Sequence, residues 1–185
     1  MKYILIQNKK ILALDPAYRG MGYALIEDHV VRLLDWGTKS CKSNKTALFL
    51  KRTQELISHH HPDILVLEDV EGNSRRCKRV QTLIHKIVQL AAKKKIKVRT
   101  FSRVHIAATF VHAQAHNKHE IAQTICKFFP ELAPRMPRYR VIWRSEDFRM
   151  NIFDAVALGM TYLHSRRENK RKAGIPYPSG DRLVS

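Results

Sequence analysis

Acidic side chains are scarce in this sequence. Sixteen aspartates and glutamates stand against 34 lysines and arginines, leaving a formal charge of +18 over 185 residues. An excess of that size on one domain makes a phosphate backbone the first partner to consider, although ribosomal and membrane-surface proteins share the balance. Cysteine is equally sparse. Cys41, Cys77 and Cys126 lie far apart and form no C-x-x-C, which argues against a disulfide framework or a cysteine-rich zinc site and suits a reducing cytoplasm. No run approaches the roughly 18 apolar residues of a membrane span. The apolar stretch after Met1 meets Lys9 and Lys10 too early for a secretory signal, so a cytoplasmic location is expected. Apolar residues still make up 44% of the chain, enough for a core and too many for a disordered polymer.

The apolar pattern divides the chain into short elements. Residues 10–15 (KILALD), 22–27 (GYALIE) and 30–35 (VVRLLD) read as three strands joined by tight turns, an antiparallel meander. A helix over 45–59 follows, with Leu48, Leu50, Leu56 and Ile57 as its apolar positions. The segment 62–68 (PDILVLE) has the continuous apolar run of a central strand. Helical spacing over 76–94 is firm: Val80, Leu83, Ile84, Ile87, Val88, Leu90 and Ala91. A fifth strand at 97–101, a helix at 104–111 and a helix capped by Asn117 with Glu120 as reciprocal partner come next. A proline-punctuated basic loop, 130–144, leads to a last helix predicted over 146–164. The expected fold is a mixed five-stranded α/β sheet, three antiparallel strands then parallel ones, with helices on both faces. One domain is expected over 1–164, and 165–185 reads as a basic, flexible tail.

In so basic a chain the position of each acid carries weight. Asp15 ends the first strand and Glu68 the fourth, so the two meet if those strands are neighbours. Asp154 interrupts an apolar helical run, where an unpaired charge is costly. Asp147, Asn151 and Asp154 recur at i, i+4 and i+7, one face of the predicted helix. Converging carboxylates suit a hard divalent ion, and two such ions about 4 Å apart support in-line phosphodiester attack. Each acid also has an ordinary explanation: Asp15 as a strand-end turn residue, Glu68 paired with a surface arginine, Asp154 bridged to Arg149.

Residues 11–26 (ILALDPAYRGMGYALI) resemble the opening of the RuvC-type Holliday-junction resolvases, with Asp15, Pro16, Arg19, Gly22 and Tyr23 in place. Residues 65–68 (LVLE) are similar to that family's second acidic strand. Asn117-Lys118-His119-Glu120-Ile121 resembles its lysine segment, and 151–158 (NIFDAVAL) its C-terminal acidic helix. The resemblance covers about 10–164. It implies an RNase H-like fold and a homodimer that nicks four-way DNA junctions with Mg²⁺, for which Mn²⁺ substitutes. It assigns Asp15, Glu68, Asp154 and Lys118 to catalysis, and the three acids with Asn151 and Asp147 to metal. The chain departs from the family at three places. Ala17 replaces a glycine, Asn151 stands where an acid or histidine is usual, and residues 69–76 carry no aromatic to wedge into a junction.

Arg19, Arg75, Arg76, Lys78, Arg79, Lys118, Arg138, Arg140 and Arg144 are the expected nucleic-acid contacts. Tyr139 and Trp143 alternate with the last three, which suits base stacking, though Trp143 equally fits a core position. The helix over 76–94 is the candidate dimer contact. His112, His116 and His119 have zinc-like spacing but no fourth partner. Two competing functions remain: an RNA-processing nuclease of the YqgF type, and a binding module without catalysis, which Asn151 favours. An actin-like phosphotransferase is set aside because the chain is too short for two such halves.

Overall fold

The structure is a computed structural model that describes residues 8–18, 20–41, 46–71, 74–140, 143 and 145–172. Its organisation follows from strand alternation. In β1 (Lys10–Ala17) and β4 (Ile64–Glu68) nearly every side chain is buried, so both strands need cover on both faces and sit in the middle. The sheet order is β3-β2-β1-β4-β5, with β2 at Gly20–Glu27, β3 at Arg32–Ser40 and β5 at Lys97–Phe101. The first three strands pair antiparallel, while β4 lies parallel to both β1 and β5.

Alternation sends the side chains into two cores. Leu12, Leu14, Leu25, Leu65 and Leu67 face α1 (Thr46–His60) and α2 (Lys78–Lys93). Ile11, Ala13, Ala24, Ile26, Ile64 and Val66 face α3 (Arg103–Phe110), α4 (Lys118–Phe128) and α5 (Met150–Lys172). Continuing the count, Asp15 and Glu68 belong to the second set and project toward α5. The parallel pairing of Ala13 with Val66 brings Asp15 level with Glu68 two residues later.

Element types agree with the sequence reading, and several boundaries differ for physical reasons. β3 begins at Arg32 rather than Val30, because the pairing of Glu27 with Arg32 leaves 28–31 to the turn, where Val31 takes a left-handed φ of 48°. α1 buries Phe49, Thr53, Leu56 and Ile57, so Leu48 and Leu50 only flank its apolar face. α2 starts at Lys78, which leaves Arg76 in the preceding loop. α4 has the expected cap: Asn117 accepts from the Glu120 backbone at 3.0 Å and the Glu120 carboxylate accepts from the Asn117 backbone at 3.3 Å. The loop from Pro130 contains a short 3-10 helix to Arg135.

α5 departs most from expectation. It begins at Met150, not near Glu146. Backbone bonds from Met150 to Asp147 (2.9 Å) and from Asn151 to Phe148 (3.2 Å) form turns rather than helix, and the Asp147 carboxylate accepts from the Arg149 backbone at 2.9 Å. Asp147 therefore starts a turn instead of sharing a helical face with Asn151 and Asp154. At the other end α5 continues to Lys172, through residues assigned to the basic tail, and Arg166 pairs with buried Asp28 in the β2–β3 turn.

Gly22 seats this helix. A Cβ there would lie 1.9 Å from the Asn151 carbonyl oxygen and 2.2 Å from its carbon, both backbone atoms. Only a glycine lets the first turn of α5 rest directly on β2. Gly22→Ala is expected to lower the melting temperature by roughly 5 °C, the effect of about 1–3 kcal/mol of overpacking in a chain of this length. An unchanged melting curve would mean that α5 does not rest on β2 in this way.

Candidate active site

Three carboxylates line one small cavity of about 90 Å³: Asp15 from β1, Glu68 from β4 and Asp154 from α5. Arg76, Arg103 and Lys118 complete its polar lining, and Ala157 and Leu158 form part of an apolar wall. Asp15 and Glu68 are almost wholly buried, at 1% and 4% exposure. Such burial is tolerable only with compensating charge.

The compensation comes from two sides. Arg76 reaches back from the loop before α2: its Nη2 bonds both Asp15 Oδ1 and Glu68 Oε2, its Nε donates to Glu68 Oε2 at 2.7 Å, and its Nη1 donates to the Pro16 carbonyl at 3.2 Å. Arg103 Nε donates to the other Glu68 oxygen at 3.0 Å. Across the cavity, Lys118 Nζ donates to Asp154 Oδ2 at 2.7 Å and lies 3.0 Å from Glu146 Oε1. The α4 cap fixes Lys118 at the first position of its helix, aimed at α5.

Burial and charge together set the acidities. Burial raises Asp15 from 3.8 to about 7, against the opposing pull of Arg76. Burial also raises Asp154, partly offset by Lys118. Burial opposes ionisation of Glu68 as well, but there Arg76 and Arg103 prevail and its pKa ends below the ordinary value. Lys118 is held protonated above its usual range: burial works against its charge, and Asp154 and Glu146 outweigh that.

Among the described residues no three acids, histidines or cysteines close around a common point as they stand. The donor set nonetheless fits a cation. Asp15 and Glu68 already share one positive group, the Arg76 guanidinium, and Asp15 Oδ2 is buried with no hydrogen-bond partner. Two such carboxylates, with water and substrate phosphate making up the shell, are the ordinary ligands of Mg²⁺.

Not every expected residue joins this cluster. Asn151 and Asp147 line a second, larger and open cavity of about 870 Å³ with Tyr18, Ser40 and Phe148. Asp147 is engaged by Arg149 at 2.6 Å, so Arg149 serves Asp147 and not Asp154. Arg75, Lys78, Arg138 and Arg140 are exposed on the surface, while half-buried Arg79 stacks on the Tyr18 ring at 5.3 Å. Arg19 and Arg144 lie outside the described residues. Trp143 is 83% exposed and Tyr139 69%, so neither is a core residue.

Two residues of the site are absent from the sequence reading. Arg103 sits two positions past Phe101, which pairs with Glu68 across β5 and β4, so strand adjacency was the available signal. Glu146 adjoins Asp147, and helical spacing favoured the wrong neighbour because the helix begins four residues later.

No protein-family model and no curated protein matches the sequence. Solved structures do match in shape. T. thermophilus RuvC in complex with a Holliday junction substrate superposes with a TM-score of 0.64 at 14% identity, over 86% of this chain and 96% of that one. The yeast mitochondrial Holliday junction resolvase Ydc2 gives 0.63 at 12% identity, over 90% and 82%. The fowlpox virus resolvase with its junction DNA gives 0.50 at 15% identity, over 85% and 98%. This chain has the RuvC-type, RNase H-like fold. Within this fold Asp15 and Glu68 lie toward the carboxyl ends of two adjacent strands and face the last helix, which carries Asp154.

The raised pKa of Asp15 has a pH signature. A carboxyl whose folded value exceeds its unfolded value contributes most stability when protonated, and that contribution is lost as pH rises from about 4 to about 7. Asp15→Asn removes the ionisation and leaves the Glu68 titration in both proteins. In metal-free buffer the melting temperature of Asp15→Asn minus that of wild type is expected to rise by roughly 5 °C between pH 5 and pH 8. A difference that stays flat with pH would rule out the raised value.

Proposed function

We propose that the protein is a divalent-metal-dependent endonuclease that nicks branched DNA, four-way junctions above all. The observation that carries this reading is the convergence of Asp15, Glu68 and Asp154 on one cavity beside Lys118. The charge of +18 supports a nucleic-acid partner. Two of the matching solved structures, T. thermophilus RuvC and the fowlpox resolvase, hold Holliday junction DNA.

In this reading Asp15, Glu68 and Asp154 hold Mg²⁺ or Mn²⁺. When bound, such ions activate a water and neutralise the leaving oxygen. Lys118, kept protonated by Asp154 and Glu146, orients Asp154 and donates to a non-bridging phosphate oxygen. Arg103 fixes the Glu68 carboxylate through one oxygen. Ala157, Leu158, Ile106 and Ile121 restrict water behind the acids. The exposed Arg75, Lys78, Arg138 and Arg140 position the backbone, as do Arg19 and Arg144. Paired cuts in opposite strands call for two such sites, hence a homodimer, with the outer face of α2 as its contact.

The test is a nicking assay on a labelled four-way junction beside a linear duplex, a fork and an RNA–DNA hybrid, with Mg²⁺ or Mn²⁺. Paired nicks confined to the junction are expected, reduced at least about 1,000-fold in Asp15→Asn. Cleavage of the hybrid alone would move the substrate to RNA. Tight binding with no cleavage by either metal would make the protein a binding module.

The exposed aromatics add a second expectation. Residues 69–76 hold no aromatic, whereas Tyr139 packs edge-on against His119 at 5.2 Å, next to Lys118, and Trp143 follows in the same loop. Stacking on a base contributes about 1–3 kcal/mol, so Trp143→Ala is expected to weaken junction binding about tenfold. In a Trp36→Phe background, Trp143 emission should quench on adding DNA. Unchanged emission and affinity would exclude Trp143 from the interface.

A further inference from the structure

Arg76 occupies an unusual place for a cation in a nucleic-acid-binding chain. Its neighbours Arg75 and Lys78 are exposed, but its own side chain is only 15% exposed and is committed to the acid pocket. The guanidinium plane bridges Asp15 and Glu68 and adds a bond to the Pro16 carbonyl. This is the position in which a metal would join the same two carboxylates. A guanidinium and a divalent ion cannot share it.

We propose that Arg76 is an internal counter-cation that keeps the seat between Asp15 and Glu68 and yields it to the metal when a nucleic-acid phosphate takes up its guanidinium. The inference rests on the endonuclease reading and names how that site is regulated. Three observations support it beyond the contact itself.

The first is charge. Asp15, Glu68, Asp154 and Glu146 provide four carboxylates, and Arg76, Arg103 and Lys118 provide three cations. With every one of these groups ionised, one divalent ion added to the linked set leaves it net positive, whereas one divalent ion in exchange for Arg76 balances it. The second is the tether. Arg76 lies before α2, not in it, and its backbone is held by two contacts: its N–H donates to Ser74 Oγ at 3.2 Å and its carbonyl accepts from Gln81 Nε2 at 2.8 Å. A short loop so attached can turn without unwinding a helix. The third is Asp15 Oδ2, buried and without a hydrogen-bond partner. Arg76 satisfies one oxygen of Asp15 and leaves the other, a mismatch that an oxygen-seeking ion removes.

Released, the guanidinium is well suited to its second partner, since its planar fork binds phosphate as it binds carboxylate. Metal loading is thereby tied to substrate. By linkage, DNA strengthens metal binding and metal strengthens DNA binding by the same factor.

The test measures Mn²⁺ affinity by electron paramagnetic resonance for wild type, Arg76→Ala, Arg76→Lys and Arg103→Ala, each checked for folding by circular dichroism. Measurements run without nucleic acid and with a linear duplex. Without DNA, Arg76→Ala is expected to bind Mn²⁺ at least about tenfold more tightly than wild type, with Arg76→Lys between them and Arg103→Ala closer to wild type. The duplex should strengthen Mn²⁺ binding by wild type and change Arg76→Ala little. Metal binding of equal strength in wild type and Arg76→Ala would overturn the counter-cation proposal and leave the endonuclease reading standing. Weaker binding in Arg76→Ala would also overturn it, making Arg76 a support for the ligands. Absence of Mn²⁺ binding in every protein, with or without DNA, would overturn both. Should Arg76→Ala fail to fold, Arg76→Lys carries the same comparison.

Discussion

Two carboxylates buried side by side at the ends of parallel strands are the constraint around which the rest of this molecule is arranged. Neither Asp15 nor Glu68 can be ionised in that position without a cation close by, and together they repel one another. Arg76 holds them as a pair. The result is uneven: burial makes Asp15 a weaker acid despite Arg76, whereas at Glu68 the two guanidinium groups of Arg76 and Arg103 outweigh burial and make it a stronger one. The counter-cation proposal rests on the oxygen that Arg76 leaves unmatched, Asp15 Oδ2, which a fully matched structural salt bridge would not have.

The third acid depends on a different set of contacts, and these run through the backbone. Gly22 pairs with Asp15 in the sheet and is also the point where the first turn of α5 touches β2. One residue thus fixes both the strand that carries Asp15 and the helix that carries Asp154. The far end of the same helix is pinned by Arg166 on Asp28. Lys118 then links α4 to α5 through Asp154, so the cavity is closed by side chains whose own elements are locked by a capping box and a glycine seat. Precise placement of few acids needs this kind of rigid support.

How much of this was legible depends on which physical rule governed each residue. Strand alternation is local, so the positions of Asp15 and Glu68 on one sheet face follow from their places in two apolar runs. The cap at Asn117 is local too, and it correctly starts the helix that presents Lys118. Asp147 was misread because spacing alone cannot say where a helix begins; its side chain competes for the backbone of Arg149 and forms a turn. The role of Arg76 was hidden for the opposite reason. Among basic neighbours it looks like one more surface contact, and only the three-dimensional return of the loop reveals that it points inward. Trp143 had two open readings, and its exposure excludes the core one. Long-range pairing and loop direction are what a single sequence withholds.

The contrast between the pocket and the whole chain has a consequence of its own. A field of +18 draws any nucleic acid to the surface, without regard to its shape. Selectivity must therefore arise after encounter, at a site that does not accept every phosphate. A pocket lined by three carboxylates would repel phosphate until a cation intervenes, and in the structure the cations there belong to the protein. In the proposed mechanism, surface arginines would bring the polymer close, and the acids would refuse the strand unless its backbone reached deep enough to meet Arg76. Attraction and exclusion are thus separated in space: lysine and arginine act over the surface, while Asp15, Glu68 and Asp154 act only at contact.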